Sequence, residues 1–155
     1  MRTLDTDLPP RKRQPTLNRA MIRIVGSRLS WLVDRGVMLV TVFGRRSGRP
    51  YTLPVQYTRD GDVLWVLVGR SEEKTWWRNL LGGGRVEVVL RRRVHRGHGQ
   101  AHTHSQQPEF VEEGMRRYAQ RFPHMAKGLG VSANDERGVA RAAAGAAVVR
   151  IHLEE

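Results

Sequence analysis

The segment FGRRSGRPYTLPVQYTRDGDVLWVLVG, Phe43 to Gly69, carries a cationic turn and the signals of a β-hairpin. Its later part holds two runs rich in branched and aromatic residues, YTLPVQYT (51–58) and DVLWVLVG (62–69), the composition of half-buried strands. Asp60-Gly61 joins them as a tight turn, because glycine accepts the positive φ that short hairpin loops require. Pro54 cannot donate to a ladder, which marks its strand as an edge or a bulge. Upstream lies a third run, VMLVTVF (37–43), separated from the hairpin by GRRSGR, a turn with two glycines and three arginines.

Working outward, Ser71 can cap a helix that begins near Glu72, runs through KTWWRNLL and ends at Gly82 to Gly84. Strand signals return in RVEVVLRR (85–92) and RGHGQAHTH (96–104). Helices are predicted after Pro108 to about Arg121 and from Asn134 to about Ala144, before a last strand in AAVVRIHL (146–153). About six strands, mostly antiparallel, with helices inserted between some of them, predict a small α+β barrel and not a βαβ nucleotide-binding sheet. Toward the N-terminus, Leu17, Met21, Ile24, Val25 and Leu32 recur at helical spacing against Arg19, Arg23 and Arg28. This predicts a basic amphipathic helix over 16–33 that either packs on the domain or meets a membrane surface. Residues 1–15, with prolines around RKR, read as a flexible basic tail, and 16–155 as a single domain.

The formal net charge of +12 points to anionic partners, but 24 of the 27 cations are arginine. With abundant Gly, Ala and Val, that bias is also what GC-rich coding produces, so where the arginines sit matters more than their number. No helix-turn-helix or aromatic RNA-binding signature is present, and no specific nucleic acid is expected. Zero cysteines exclude disulfides, thiolate metal sites and thiol nucleophiles. The longest apolar stretches are interrupted by arginine, so a cytoplasmic protein is expected, with peripheral membrane contact through residues 11–33 as the alternative. A monomer or homodimer is expected.

In the GRRSGR turn, Gly44 and Gly48 free the backbone to aim amides inward as an anion-binding nest, while Arg45, Arg46, Arg49 and the Ser47 hydroxyl offer charge-assisted donors. A phosphate suits such a turn; a solvated basic hairpin is the plain alternative. The segment Phe43 to Arg93 resembles the deazaflavin-dependent nitroreductase and quinone-reductase family, in which glycine, two cations, a hydroxyl residue and glycine precede a proline-containing strand. A Trp-aromatic-x-Asn-Leu element follows a hairpin there, as WWRNL does at Trp76 to Leu80. The resemblance implies an FMN-binding-like split β-barrel that binds coenzyme F420, whose tail carries a phosphate and an oligoglutamate; FMN is the alternative cofactor. It also implies cofactor contacts at Arg45, Arg46, Ser47, Gly48 and Arg49, at Gly69 and Arg70, and at Lys74, Trp77 and Asn79. Relatives often carry a cation directly after the proline, where this chain has Tyr51, and the segment from Gly69 to Thr75 is shorter than their glycine-rich loop.

In YAQRFPHMAKGLG (118–130), Tyr118 and His124 are the candidate proton donors to a hydride acceptor, with Phe122 and Met125 as apolar wall. His95, His98, His102 and His104 cluster in sequence, but no carboxylate or cysteine completes a ligand set and no metal is expected. The expected function is hydride transfer from reduced F420 to a small quinone, nitro or enone acceptor. The alternatives are a non-catalytic split-barrel module that holds a flavin, haem or lipid, and, behind it, a nucleic-acid or anionic-membrane binder.

Overall fold

The computed structural model describes residues 36–155, so the tail (1–15) and the helix (16–33) lie outside the described residues. Seven strands form one sheet: β1 (Val37–Phe43), β2 (Pro50–Gln56), β3 (Thr58–Asp60), β4 (Val63–Val68), β5 (Gly84–Leu90), β6 (Arg93–Thr103) and β7 (Ala147–Leu153). Their order is β2-β1-β5-β6-β7-β4-β3, antiparallel at every pairing. The run expected as one strand after Pro50 divides at Tyr57, which accounts for seven strands in place of six. Its first part pairs with β1, Tyr57 donates its amide to Gly36 O at 3.0 Å, and its last three residues pair with β4. Strands adjacent in sequence thus occupy the two edges of the sheet, and the curled sheet closes on itself as a split barrel.

Alternation builds two cores. Val40 and Val42 of β1, Leu64, Val66 and Val68 of β4, Val86 and Val88 of β5, and Val149 and Ile151 of β7 point inward and are buried. The opposite phase of β4 and β7, Trp65 and Val148, packs under three helices: α1 (Pro108–Arg121), α2 (Pro123–Gly128) and α3 (Glu136–Ala143). Buried on both faces, β7 reads as a nearly continuous apolar run. Asp135 caps α3 by accepting from Gly138 N at 3.1 Å. Arg150 lies over the rings of Trp65 and Phe110 at 4.9 and 4.4 Å, joining α1 to the sheet.

Gly114 lets α1 sit close, since a Cβ there would meet Val148 Cγ2 at 2.6 Å. Val148 is fully buried and has no room to yield. Gly114→Ala is therefore expected to destabilise by about 1–3 kcal/mol despite the better helix propensity of alanine, read as a lower urea midpoint.

Two local expectations are corrected. WWRNL is not an α-helix: Ser71–Glu73 and Trp76–Leu80 are two 3-10 turns, with Lys74 extended between them. The second turn drops Trp76, Trp77 and Leu80 together into one end of the barrel, which leaves no length for an amphipathic helix. Arg91 and Arg92, expected to finish a strand, instead form the two-residue turn between β5 and β6, with Leu90 opposite Arg93 and φ of 46° and 69°. Asparagine and glycine are the usual residues there, because a Cβ is strained at positive φ.

Candidate active site

The GRRSGR turn links β1 to β2. Gly44 N donates to Arg49 O at 2.9 Å, Gly48 N to Gly44 O at 2.9 Å, and Arg49 N to Ser47 Oγ at 3.2 Å. Gly48 has φ 67°, and a Cβ on Gly44 would meet Ser47 Oγ at 2.5 Å, so both glycines are required by the turn. Arg45 N donates outward to Asn79 Oδ1 at 3.2 Å. These bonds engage the amides of Gly44, Arg45, Gly48 and Arg49 within the protein, so of the expected nest the Arg46 and Ser47 amides and the side-chain charge stand ready for an anion. Arg45, Arg46, Ser47 and Arg49 are all exposed.

Asn79 is the bolt between the turn and the second 3-10 turn. Its Oδ1 accepts from Arg45 N while its Nδ2 donates to Trp76 O at 3.1 Å, and Arg45 Nη1 donates to Arg78 O at 3.3 Å. Asparagine therefore positions the cationic turn. Trp77 is buried, with its indole N–H donated to Ser71 O at 3.0 Å, and stands in the barrel core and not in an open site.

A cleft of about 850 Å³ opens between β2 and β4. Its origin is the split itself: β3 pairs only with Val63, Leu64 and Trp65, so the outer edge of Val66 to Val68 has no strand partner among the described residues. Tyr51, Leu53 and Val55 line one wall, and Val66, Leu67 and Val68 the other. Gly69, Arg70 and Lys74 stand at one end beside Thr75 and Trp76, and Tyr118 and Leu129 come from the helical side. Arg70 holds φ 49°, a strained conformation for a residue with a Cβ, and Lys74 Nζ donates to Gly69 O at 2.8 Å. Tyr51 follows the cationic turn directly after Pro50, and Trp76 precedes Asn79 in the same 3-10 turn, so the cleft wall is continuous with the anchor.

Of the two candidate proton donors, only Tyr118 lines the cleft. Its hydroxyl donates to Gln56 Oε1 at 3.1 Å, and burial pushes its pKa up, so the phenol keeps its proton at neutral pH. His124 is exposed on α2 and outside the cleft. The reason is Pro123, which opens α2 with its histidine on the solvent side while Phe122 turns in beside Gly36. Met125, 54% exposed, accepts from Gln56 Nε2 at 3.0 Å. Sequence reasoning missed Gln56 and Leu129 as cleft residues and met Tyr51 only as a departure; the phase of β2 was the available signal for Tyr51.

Among the described residues, no group of three His, Asp or Glu side chains lies close enough to hold a metal. His102 is buried and stacked on Phe110 with ring centroids 4.7 Å apart. Burial lowers its pKa below 6.5, the Arg150 charge lowers it further, and a hydrogen bond with Gln107 opposes them. As pH falls through about 6.5 the unfolded chain binds this proton before the folded one does. The His102 contribution is thus complete above that pH and declines below it. A urea midpoint that drops between about pH 6.5 and 5 in the native protein, and drops less in His102→Gln, is the expected result.

A family model described as F420H(2)-dependent quinone reductase matches residues 13–131. The chain belongs to that family. The family's cofactor is F420, a polyanion of the kind that the exposed arginines beside the cleft suit. Among solved structures, the F420-H2 dependent reductase FDR-A is similar over 76% of this chain and 95% of its own, at 14% identity and a TM-score of 0.54. HutZ, the heme storage protein of Vibrio cholerae, is similar over 79% and 84%, at 13% identity and a TM-score of 0.51. A chain described as a domain-swapped dimer is similar over 76% and 81%, at 13% identity and a TM-score of 0.51. At these identities the likeness shows the shared split-barrel fold. No curated protein matches. No helix among the described residues is long and apolar enough to cross a membrane.

Proposed function

We propose that the cleft between β2 and β4 holds F420, with its tail at Arg45, Arg46, Ser47 and Arg49, and that the chain reduces a small quinone, nitro or enone acceptor. The observation that carries this reading is the continuity of anchor and cleft. Asn79 and Arg78 hold the cationic turn against the same 3-10 turn whose Trp76 lines the opening. Reduced F420 supplies the hydride when bound.

The chain supplies position, charge and a proton donor. Arg70 and Lys74 bring two cations to the cleft lining, against the one carboxylate of Glu73, and the edge of β4 that lacks a strand partner among the described residues offers backbone N–H and C=O groups to a heteroaromatic ring. Leu53, Val55 and Val66 give an apolar wall that excludes water from one side. At the far side, the Tyr118 hydroxyl, held in place by Gln56 Oε1, can turn its one proton from Gln56 to a developing oxyanion on the acceptor. The two-tryptophan turn acts from the core, by fixing the end of the barrel on which Lys74 and Asn79 stand.

Fluorescence titration of the full chain with F420 and with FMN tests the cofactor. Saturation by F420 at a concentration at least about tenfold lower than by FMN is expected, because FMN has a single phosphate for the arginines to hold. Equal or tighter binding of FMN would replace the assignment. The binding-module reading keeps one support, the fold shared with a protein described as a heme storage protein.

A further inference from the structure

A second opening of about 540 Å³ lies at the Val37 end of β1, which its length places about 20 Å from the GRRSGR turn at the other end. The Gln56–Tyr118 hydrogen bond links the two linings through the chain: those two residues line the cleft, and their sequence neighbours Tyr57 and Arg117 line the second opening. Four arginines reach it from three parts of the chain, namely Arg59 on β3, Arg91 in the β5–β6 turn, and Arg117 and Arg121 on α1.

Arg117 is compensated by Asp60 at 3.3 Å and Glu113 at 3.0 Å. Among the described residues no carboxylate pairs with Arg59, Arg91 or Arg121, and no aspartate or glutamate lines the opening. Arg59 Nε donates to Gly61 O at 2.8 Å, and the Arg121 guanidinium lies over the Phe122 ring at 5.1 Å, which leaves further N–H groups on both for a guest. Two independent features mark the place as more than a basic surface. Thr58 Oγ1, in the same lining, is buried with no hydrogen-bond partner among the described residues. Arg91 stands at φ 46°, where asparagine or glycine would relieve the strain, and strain of that kind collects at ligand sites. Like charges converging on a concave opening repel, and an oxyanion that accepts from the guanidinium forks removes that repulsion; a χ1 rotation of Thr58 would bring its orphaned hydroxyl to the same guest.

We propose that this opening is a second anion site, separate from the cofactor anchor, and that it takes a carboxylate or phosphate group carried by the acceptor substrate. Its assignment to the acceptor rests on the reductase reading above; the anion site itself does not. The position beyond Tyr118 would let an acceptor lie across the Gln56–Tyr118 bond with its reducible part in the cleft and its charge among the arginines.

Calorimetric titration of the full chain with inorganic phosphate and, separately, succinate in low-chloride buffer tests the site. Arg59→Gln/Arg91→Asn and Arg45→Glu/Arg46→Glu are run beside it. Asparagine tolerates the backbone at 91, and circular dichroism checks that both variants are folded. A saturable component that weakens at least about tenfold in the first variant and stays within about twofold in the second is expected, beside any phosphate held at the cofactor anchor, which the second variant alone removes. The tighter of the two anions tells phosphate from carboxylate. No saturation, unchanged binding in the first variant, or loss only in the second would overturn the site. For the acceptor, a quinone bearing a carboxylate should show a KM raised about tenfold in Arg59→Gln/Arg91→Asn, with the KM of its neutral parent unchanged. An unchanged KM for the charged quinone would overturn the acceptor assignment. Failure of F420 to bind would remove the reductase reading and still leave the calorimetry to decide the anion site.

Discussion

Replacing Arg45 and Arg46 together by glutamate is expected to weaken F420 binding more than about a hundredfold while the barrel stays folded. Each lost charge-assisted hydrogen bond costs roughly 1.5–3 kcal/mol, and two such losses with added repulsion exceed a factor of about a hundred. The fold should survive, because both side chains are exposed and the turn is closed by Gly44, Ser47, Gly48 and Arg49 through their own hydrogen bonds. Arg45 Nη1 to Arg78 O is the one side-chain bond lost to the scaffold, and the Arg45 amide still reaches Asn79. Since the arginines are exposed, native affinity should also fall as salt rises. Fluorescence titration at two ionic strengths checks both effects, and unchanged affinity in the double variant would remove the turn from the site.

Tyr118→Phe is expected to lower kcat for quinone reduction by about a hundredfold with little change in F420 affinity. A positioned proton donor contributes about 10²–10⁴ in rate, and the phenylalanine ring keeps the packing while removing the hydroxyl that Gln56 orients. His124→Ala, on the exposed face of α2, should leave kcat within about twofold. Steady-state kinetics with menadione on the two variants separates these roles: equal losses, or loss only at His124, would return the proton to the histidine.

Most of the barrel was legible because its strands are short and branched, and β1, β4, β5 and β7 lie close to the runs that their composition marks. The division of the Pro50–Asp60 segment was not, since Tyr57 breaks it only by pairing with Gly36 at one edge while Thr58 to Asp60 pair with β4 at the other. That is a property of closure, not of local propensity. WWRNL carries the spacing of a short amphipathic helix, but a barrel end needing plugs at Trp76, Trp77 and Leu80 selects 3-10 geometry. The Arg91-Arg92 turn was illegible for the opposite reason, because its residues contradict the turn they make. In the site, the cationic turn and the Gly69 to Lys74 segment were readable from motif. Tyr118 and His124 were indistinguishable in sequence, and only the direction of α1 and the break before Pro123 separate them. Gln56 was invisible, since its role depends on a tyrosine 62 positions away.

On this reading anchor and cleft act together and make the chain an F420-dependent reductase. Following the oxidation of reduced F420 by menadione, with and without the purified full chain, tests it most directly. The protein should accelerate this reaction and NADPH should not replace F420, since no glycine-rich turn of the dinucleotide-binding kind follows a strand and opens a helix in the sequence. Tight binding of F420 with no turnover of menadione, nor of any nitro or enone acceptor tried beside it, would rule out the reductase and leave a binding module.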